Sequence, residues 1–399
     1  MQSLFKHING DKTIWVIIGV MSIFSFMPIY SASSNLVYTV GGSTFGYMFK
    51  HLVHLLLGFA ILYGVHKIPY RYFKGLSMLV LPISILLLIV TLASGTVIQG
   101  ANASRWIRIP IVGLTFQPSA LASVALYAYV AQYLTRIKGE KITFKQSILP
   151  LWIPVFIVLI FVLPANFSTA ALIFIMVLIL TFIGGYPIKY LLSIVGVGLL
   201  FLTLFILTAK AFPNAFPNRV DTWISRIDNF SKEGSSDENY QINLAKQAIA
   251  TGGIMGLGPG KSVQKNFLPQ STSDFIYAII IEEFGFIGGM IILTAYLMLL
   301  LRILIVARKA PSTFGSLLVI GVGLPIIIQA IINMAVAVQL FPVTGQTLPL
   351  ISSGGSSIWM VCLALGMILS VSTSKGEDLD TENIEVEEQN PLDILSETI

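Results

Sequence analysis

Apolar runs about as long as a bilayer is thick dominate the chain. Continuous runs of roughly 20 apolar residues can cross the hydrocarbon core as helices, whereas barrel strands would alternate apolar and polar residues. The predicted fold class is therefore all-α, a polytopic integral membrane protein with about ten transmembrane helices. The runs lie near 13–30, 52–66, 75–94, 117–134, 149–164, 168–186, 188–209, 275–301, 314–338 and 356–372.

Two polar segments interrupt or follow these runs. Residues 210–273 form a large extracytoplasmic loop between the seventh and eighth predicted helices, inside a single membrane domain over 1–374. The tail 375–399 holds nine of the chain's 19 acidic residues. High like charge with few aromatic residues is typical of disorder, so the tail is predicted to be solvated and cytoplasmic. A docking segment for a cytoplasmic partner is the alternative.

Composition agrees with a membrane protein. Hydrophobic residues make up 55% of the chain and charged residues only 11%, against about 25% charged residues in a soluble domain. The single cysteine, Cys362, lies inside the last apolar run, so an intrachain disulfide is excluded. No small-residue cleavage site clearly follows the first run, which we interpret as a retained span.

The basic residues predict the orientation. Fourteen lysine and arginine residues fall in segments that would be cytoplasmic if the N-terminus is cytoplasmic, whereas the short outside connections hold only Lys50, Arg105 and Arg108. Lysine and arginine in short loops favour the cytoplasm. Both termini are therefore predicted to be cytoplasmic. The net charge of +5 is explained by topology and does not indicate nucleic-acid binding.

Three carboxylates are candidates for chemistry outside the tail. Asp274 stands where the long loop meets the eighth predicted helix, and Glu282 and Glu283 follow two helical turns later. Ionisable groups within a span are costly and face a polar cavity or pair with another group. The spacing favours a functional role for Asp274. For Glu282 and Glu283 it favours a structural role in hydrogen bonding between helices.

The long loop has a pattern of its own. A helix is predicted from Asn239, with Lys246 within it and Gly252–Gly253 at its end. The glycine-rich loop, residues 252–262, comes next and resembles a phosphate-binding loop. The strict pattern requires a glycine where Met255 stands, so we reject nucleotide binding. A glycine-rich backbone beside Lys261 and Lys265 could still approach a lipid-linked pyrophosphate.

Two further polar groups lie on the predicted outer side. His51 and His54 are three residues apart in the second apolar run, a spacing that favours hydrogen bonding at the membrane interface over metal binding. Arg105 and Arg108 flank Trp106, a pattern that fits either a membrane-interface anchor or anion recognition.

Several motifs, taken together and in order, resemble the SEDS family (shape, elongation, division and sporulation) of membrane glycosyltransferases. The resemblance spans about 13–372. The stretch 262–265 is more similar to the FtsW division branch than to the RodA elongation branch. The matching motifs are Ala-Ser-Arg-Trp-Ile at 103–107, Gln-Pro-Ser at 117–119, the loop pattern over 239–265, the block 267–276 with Glu-Glu-Phe-Gly at 282–285, and the signature segment 342–357.

The resemblance implies a peptidoglycan glycosyltransferase that polymerises lipid II into glycan strands during septal cell-wall synthesis. Its active site would lie on the periplasmic face of the bacterial inner membrane. Asp274 matches the family's catalytic aspartate, and the implied role is that of general base. The implied substrate-binding residues are Arg105, Lys246, Lys261 and Lys265, and the supporting residues are Glu282, Glu283, Ser356 and Ser357.

Partners and alternatives follow from the same resemblance. Expected partners are lipid II, the undecaprenyl-pyrophosphate-linked glycan, a class B penicillin-binding transpeptidase and other division membrane proteins, with no nucleic acid. A divalent cation, Mg²⁺ or Mn²⁺, could share the pyrophosphate charge, but the sequence shows no ligand set. The alternatives are a lipid II flippase and a noncatalytic scaffold for a transpeptidase. Inverted repeats and helices broken at mid-membrane would favour a transporter, and no clear internal repeat is visible.

The chain also departs from the family pattern. Ala120 and Ser123 stand where the family commonly has a glutamate and a lysine, and Asn166 replaces an aspartate. Losing both members of a buried charge pair together avoids leaving one charge unpaired. Gln270 and Ser273 replace a glutamate and a threonine, and none of these changes touches Asp274.

Overall fold

The computed structural model describes the backbone of residues 9–41, 43–94, 105–108, 114–140, 142–211 and 237–388. Within these ranges the side chains at 34–40, 94, 202, 205–206, 209–211, 237–239 and 375–388 are left undescribed. The chain is mostly helical. The helices are α1 Lys12–Val40, α2 Thr44–His66, α3 Tyr72–Ser94, α4 Pro118–Arg136, α5 Phe144–Val162 with a π-helical turn at Ile148–Trp152, α6 Phe167–Ile183, α7 Ile188–Ala211, α8 Asp237–Gly252, α9 Ile276–Lys309, α10 Thr313–Ala337 and α11 Ser356–Glu388.

Each predicted apolar run coincides with one of these helices, with ends that differ by at most a few residues. Among the described residues seven segments are long and apolar enough to cross a membrane, in α1, α2, α3, α5, α9, α10 and α11. The apolar stretches of α6 and α7 are shorter, Phe167–Ile183 and Ile188–Phe201. The all-α, polytopic fold class is thereby confirmed, whereas the number of ten spans stays a prediction. α4 differs because it carries Ser119, Ser123 and Gln132 and buries much of its surface against other helices.

α11 lies at the centre of the bundle, and 78% of its apolar 18-residue stretch within Ser356–Ser374 is buried. It packs on α2 and α10, and small residues allow the close approach. A Cβ added at Gly58 of α2 would meet the Cys362 sulfur at 3.0 Å. Cys362 is a buried free thiol, as its position in the last apolar run predicts. Large apolar side chains that stay exposed on α3 and α7 suit a surface covered by lipid.

One end of the bundle is closed by an ion pair. Arg302, near the end of α9, donates to the Asp11 carboxylate, and the Nε···Oδ2 distance is 3.0 Å. The same carboxylate accepts the backbone N–H groups of Thr13 and Ile14 at the start of α1. The backbone N–H of Asp11 in turn donates to Ser372 of α11 at 3.0 Å. The chain's amino-terminal segment and the predicted cytoplasmic ends of α9 and α11 therefore meet at one end.

The acidic tail differs from its predicted form, whereas the helix predicted from Asn239 in the long loop is present as α8, Asp237–Gly252. α11 continues through the predicted domain boundary at 374 to Glu388, so disorder is not seen over 375–388. A helix already nucleated in a membrane span can propagate at low cost into the residues that follow, five of which over 375–388 are glutamates. Residues 389–399 lie outside the described residues, and the domain boundary stays a prediction. In the long loop, residues 237–273 fold as helix and turns against α9, and residues 212–236 lie outside the described part.

The exposed residues Lys261, before α9, and Lys309, at its end, provide a test of orientation. In a Cys362→Ala background we expect Lys261→Cys in spheroplasts to react with a membrane-impermeant maleimide. Lys309→Cys should react only after the membrane is opened, because the basic residues place it in the cytoplasm. Labelling in the reverse order would contradict the predicted topology.

Candidate functional site

Asp274 lies in a tight turn just before α9. The backbone N–H groups of Ser273 and Asp274 donate to the carbonyl of Gln270 at 3.0 and 3.1 Å. Gln270 adopts a left-handed conformation with φ of 56°, which is uncommon for a residue other than glycine. This turn leaves the Asp274 side chain partly exposed at the junction of loop and helix.

The signature segment 342–357 holds this turn from the side. The Ser352 hydroxyl donates to the carbonyl of Ser273 at 2.6 Å and accepts the backbone N–H of Leu348 at 2.8 Å. The backbone N–H of Ser353 donates to the carbonyl of Thr272 at 2.9 Å. The residues before Asp274 are therefore hydrogen-bonded to a segment roughly 80 positions later in the chain.

Asn333 of α10 joins the same two segments. Its Nδ2 donates to the carbonyl of Asp274 at 2.8 Å and to the carbonyl of Gln346 at 2.7 Å. Gly345, with φ of 68°, lies in the part of the signature segment nearest the carboxylate. A Cβ there would lie 3.6 Å from Asp274 Oδ2. The carboxylate therefore faces backbone that has been placed by buried side chains.

Arg105 is hydrogen-bonded to the connection between α5 and α6, which is itself linked to the signature segment. Its Nε donates to the carbonyl of Ala165 at 2.8 Å. Asn166 caps α6 by accepting the backbone N–H of Thr169 at 3.3 Å, a task for which asparagine needs no charge. Gln346 Nε2 donates to the Thr169 hydroxyl at 3.0 Å. Arg105 and Asp274 thus belong to one hydrogen-bonded end of the protein.

Glu282 and Glu283 are buried and hold the glycine-rich loop. Their side chains are 0% and 1% exposed. Glu282 accepts the backbone N–H groups of Val263 and Gln264 at 2.9 and 3.2 Å and the hydroxyl of Ser262. Glu283 accepts the hydroxyl of Ser31 in α1 and the backbone N–H of Ser262. The geometry suits the predicted structural role of both residues.

α9 is interrupted at Gly285, whose φ and ψ are 70° and −174°. The glycine-rich loop fills the break, since the N–H of Phe286 donates to the Gly253 carbonyl and the N–H of Leu257 to the Glu282 carbonyl. The helix after the break rises about 36 Å at 1.5 Å per residue, enough to cross a hydrocarbon core of about 30 Å. The break therefore lies at the N-terminal end of a helical stretch long enough to cross a membrane, unlike the mid-membrane breaks of transporters.

The three lysines differ in their surroundings. Lys246 is exposed on α8, whose opposite face buries Ile242, Ala245 and Ala248, and Lys261 is exposed in the glycine-rich loop. Lys265 is half-buried, and its ammonium group donates to the Gly260 carbonyl at 2.7 Å and to the Ser31 hydroxyl at 3.2 Å. Two of the three N–H donors of Lys265 therefore form hydrogen bonds within the protein.

The remaining predicted polar residues lie around the signature segment and α2. The buried Ser356 hydroxyl accepts the backbone N–H of Gln117 at 3.0 Å, and Ser357 lies 3.4 Å from the Thr347 hydroxyl. His51 lies 2.8 Å from the Ser25 hydroxyl, and the His54 ring packs against Trp359 at 5.3 Å. The His51 contact suits the predicted hydrogen-bonding role. His54 instead packs against Trp359, and its buried Nδ1 has no hydrogen-bond partner among the described residues. The position of the two histidines at the membrane interface stays a prediction.

A divalent cation finds few ligands here. Among the described residues no three His, Cys, Asp or Glu side chains come together, and Glu282 and Glu283 are turned to the glycine-rich loop. Mg²⁺ is usually held by one or two carboxylates together with substrate phosphates. The described side chains alone therefore do not fit a closed metal site.

Sequence reasoning missed the side chains that place Asp274. No role was predicted for Asn333 or Thr169, and Gln346 and Ser352 were predicted only as parts of the signature segment 342–357. A signal existed for Asn333, because it is an amide within a long apolar run and such groups seek hydrogen-bond partners in a membrane protein. Its partners could not be read from the sequence.

The break in α9 predicts a strict need for glycine. A Cβ at Gly285 would lie 2.1 Å from the Ile254 carbonyl oxygen, at a positive φ. We expect Gly285→Ala to cost about 3 kcal/mol or more and to lower the melting temperature and yield in detergent. Gly64→Ala is the control, since a Cβ at this helical position meets nothing within 4 Å. Equal melting temperatures for the two variants would contradict the packing described here.

Comparison with known proteins gives the family. Residues 11–377 match the sequence model of the FtsW/RodA/SpoVE family, described as cell cycle protein. The probable peptidoglycan glycosyltransferase FtsW of Geobacter sulfurreducens is 31% identical over 365 residues, covering 91% of this chain and 95% of the relative. The FtsW relative from Coxiella burnetii is 30% identical over 379 residues, covering 92% and 97%. These relatives confirm the predicted likeness to the FtsW branch.

Solved structures agree. One, described as the structural coordination of polymerization and crosslinking by a peptidoglycan synthase complex, matches with a TM-score of 0.72 at 26% identity, covering 92% of this chain and 98% of that chain. The rod shape determining protein RodA of Thermus thermophilus shares the fold, with a TM-score of 0.65 at 24% identity and coverage of 92% and 97%. The chain therefore belongs to the FtsW/RodA/SpoVE family of cell cycle proteins, the SEDS family that its motifs resemble.

Proposed function

We propose that this chain is a peptidoglycan glycosyltransferase that polymerises lipid II into glycan strands during septal cell-wall synthesis. Family membership and the names of the relatives support the reaction class. The observation that carries the proposal is the partly exposed Asp274 carboxylate, held at the loop-to-helix junction by Asn333 and the signature segment. The other two carboxylates near it in sequence are buried and bound to the loop.

The reaction is a single displacement with inversion. Asp274 takes the proton from the 4-hydroxyl of the acceptor lipid II as that oxygen attacks the anomeric carbon of the donor glycan. The bond between the anomeric carbon and the pyrophosphate oxygen breaks, and undecaprenyl pyrophosphate leaves with the bonding electrons. An α-linked donor thereby gives a β-linked product. Because the leaving group gains negative charge, cationic side chains near it stabilise the transition state.

The candidates for that charge differ in availability. Lys246 and Lys261 are exposed beside the glycine-rich loop. Arg105 uses its Nε on the Ala165 carbonyl, which orients the guanidinium. The Lys265 ammonium group donates to Gly260 and Ser31, so we assign Lys265 mainly to holding the loop. Only its third N–H donor is left for the substrate.

The same proposal covers location and partners. The apolar helices and family membership make the chain a multi-pass membrane protein. We place it in the bacterial inner membrane with cytoplasmic termini and a periplasmic active site, supported by the bias of basic residues. A class B penicillin-binding transpeptidase is the proposed partner, supported by the structural relative described as coordinating polymerization with crosslinking. Other division membrane proteins remain further expected partners.

The base assignment predicts loss of polymerisation in two variants. With purified lipid II and the partner transpeptidase, Asp274→Ala and Asp274→Asn should each lower the rate of glycan synthesis by at least about 100-fold, the contribution expected of a general base. Asn keeps the shape of the side chain but cannot take a proton. Product length and rate are measured by gel separation of labelled glycan.

Glu140→Gln, an exposed carboxylate in a predicted cytoplasmic loop, is the matched control and should keep the wild-type rate. Undiminished synthesis by both Asp274 variants would rule out the base role. Lipid translocation by the wild type in vesicles without polymer would favour the flippase. Retained division function in Asp274→Ala cells would favour the scaffold.

The cationic residues give a smaller effect. We expect Lys246→Ala and Lys261→Ala each to lower kcat/KM about 10-fold, the size of one lost charge-assisted hydrogen bond. Lys309→Ala, at the opposite end of α9, should leave kcat/KM unchanged. An unchanged rate in either loop variant would remove that lysine from the substrate-binding group.

A further inference from the structure

Asn333 donates both hydrogens of one amide group to two segments that are remote in the chain. Its acceptors are the carbonyl oxygens of Asp274 at 2.8 Å and Gln346 at 2.7 Å. A carbonyl oxygen can only accept, so the nitrogen side of the amide must face both of them. The side chain is 1% exposed, which removes competition from water.

The two bonds hold the peptide groups that flank the reacting carboxylate. One holds the carbonyl of Asp274 itself, whereas the bonds from Ser352 and Ser353 hold the two residues before it. The other holds the residue after Gly345, the glycine nearest to Asp274 Oδ2. Gln346 is also held through its side chain by Thr169. The Asn333 side chain thus bonds both to the backbone of Asp274 and to the backbone of the signature segment that faces the carboxylate.

We propose that Asn333 is a positioning residue for Asp274, which sets the carboxylate against the signature segment in its reactive place. This inference rests on the proposed function, because it takes Asp274 as the base. A displacement of about 1 Å at a reacting group can cost 100-fold in rate. Loss of the Asn333 donors should therefore lower kcat while leaving KM for lipid II nearly unchanged.

The chain supplies a matched control one helical turn earlier. Gln329 of α10 is also an amide, and its Nε2 donates to the carbonyl of Thr347 in the same signature segment at 2.9 Å. Both of its described hydrogen bonds go to Thr347, at the carbonyl and at the hydroxyl. Gln329→Leu therefore removes a half-buried amide contact to this segment but spares the bond from Asn333 to Asp274.

The kinetic arm compares Asn333→Leu with Gln329→Leu. We expect kcat to fall about 30- to 100-fold in Asn333→Leu and less than about 5-fold in Gln329→Leu, with KM within about 2-fold of wild type in both. Melting temperatures establish that both variants are folded. If Asn333→Leu does not fold, Asn333→Ser takes its place with the same expected order. Equal losses of kcat in the two variants, or no loss in Asn333→Leu, would overturn the proposal.

A disulfide arm tests the positioning itself. The backbone N–H of Ser353 donates to the Thr272 carbonyl at 2.9 Å, so the two backbones adjoin, and Thr272→Cys with Ser353→Cys is introduced as a disulfide pair in a Cys362→Ala background. We expect the disulfide to form several-fold more slowly with Asn333→Leu than with Gln329→Leu. Once formed, it should restore polymerisation to Asn333→Leu, and reduction should abolish the rescue. A side chain that only contacts substrate, or a variant that is merely unstable, gives no such reversible rescue.

The kinetic and disulfide experiments together distinguish failure of the proposed function from failure of the proposed positioning role. If the wild type forms no polymer, the proposed function fails, and the disulfide rates still decide whether Asn333 holds the two segments together. Equal disulfide rates in Asn333→Leu and Gln329→Leu would overturn the positioning role even if the wild type is fully active. Absence of rescue by the formed disulfide would overturn it as well.

Discussion

Backbone polar groups that leave regular helix at the edge of a membrane protein need hydrogen-bond partners, and this need shapes the whole site. The break in α9 at Gly285 frees carbonyls and N–H groups, and the glycine-rich loop satisfies them with its own backbone. The loop and α9 backbones approach so closely that a Cβ at Gly252, Gly256 or Gly285 would lie 2.1 to 2.3 Å from a carbonyl oxygen. The loop is consequently packed against the N-terminal part of α9.

The same need divides the acidic residues into two kinds. Glu282 and Glu283 are buried and accept N–H and hydroxyl donors from the loop and from α1, although Glu283 Oε2 has no partner among the described residues. Asp274 sits in a turn held through its backbone, which leaves its carboxylate partly exposed beside Gly345. As the proposed base, Asp274 must reach its substrate while its position is determined by other groups. The hydrogen bonds on its backbone, including the one from the Asn333 amide, hold that position.

The loop and the break also bear on the alternatives. A transporter built on broken helices binds its substrate near mid-membrane, where unwound backbone lines a cavity. In this protein the break lies near the N-terminal end of α9, and protein backbone fills it. Asp274 lies at the same end of α9, whereas the ion pair between Asp11 and Arg302 lies near its other end.

The apolar run lengths by themselves determined the helical, polytopic class, because a bilayer imposes one length on every span. Local spacing and motifs also marked Asp274, and the short block around it carried the family. Only the tertiary structure decided which polar groups meet, since Asn333 lies 59 positions from Asp274 and Ser31 lies 252 from Glu283. It likewise decided that Glu282 binds the glycine-rich loop and that Lys265 is largely engaged. Hydrogen bonds between distant segments depend on how helices pack, and that information is absent from any local pattern of residues.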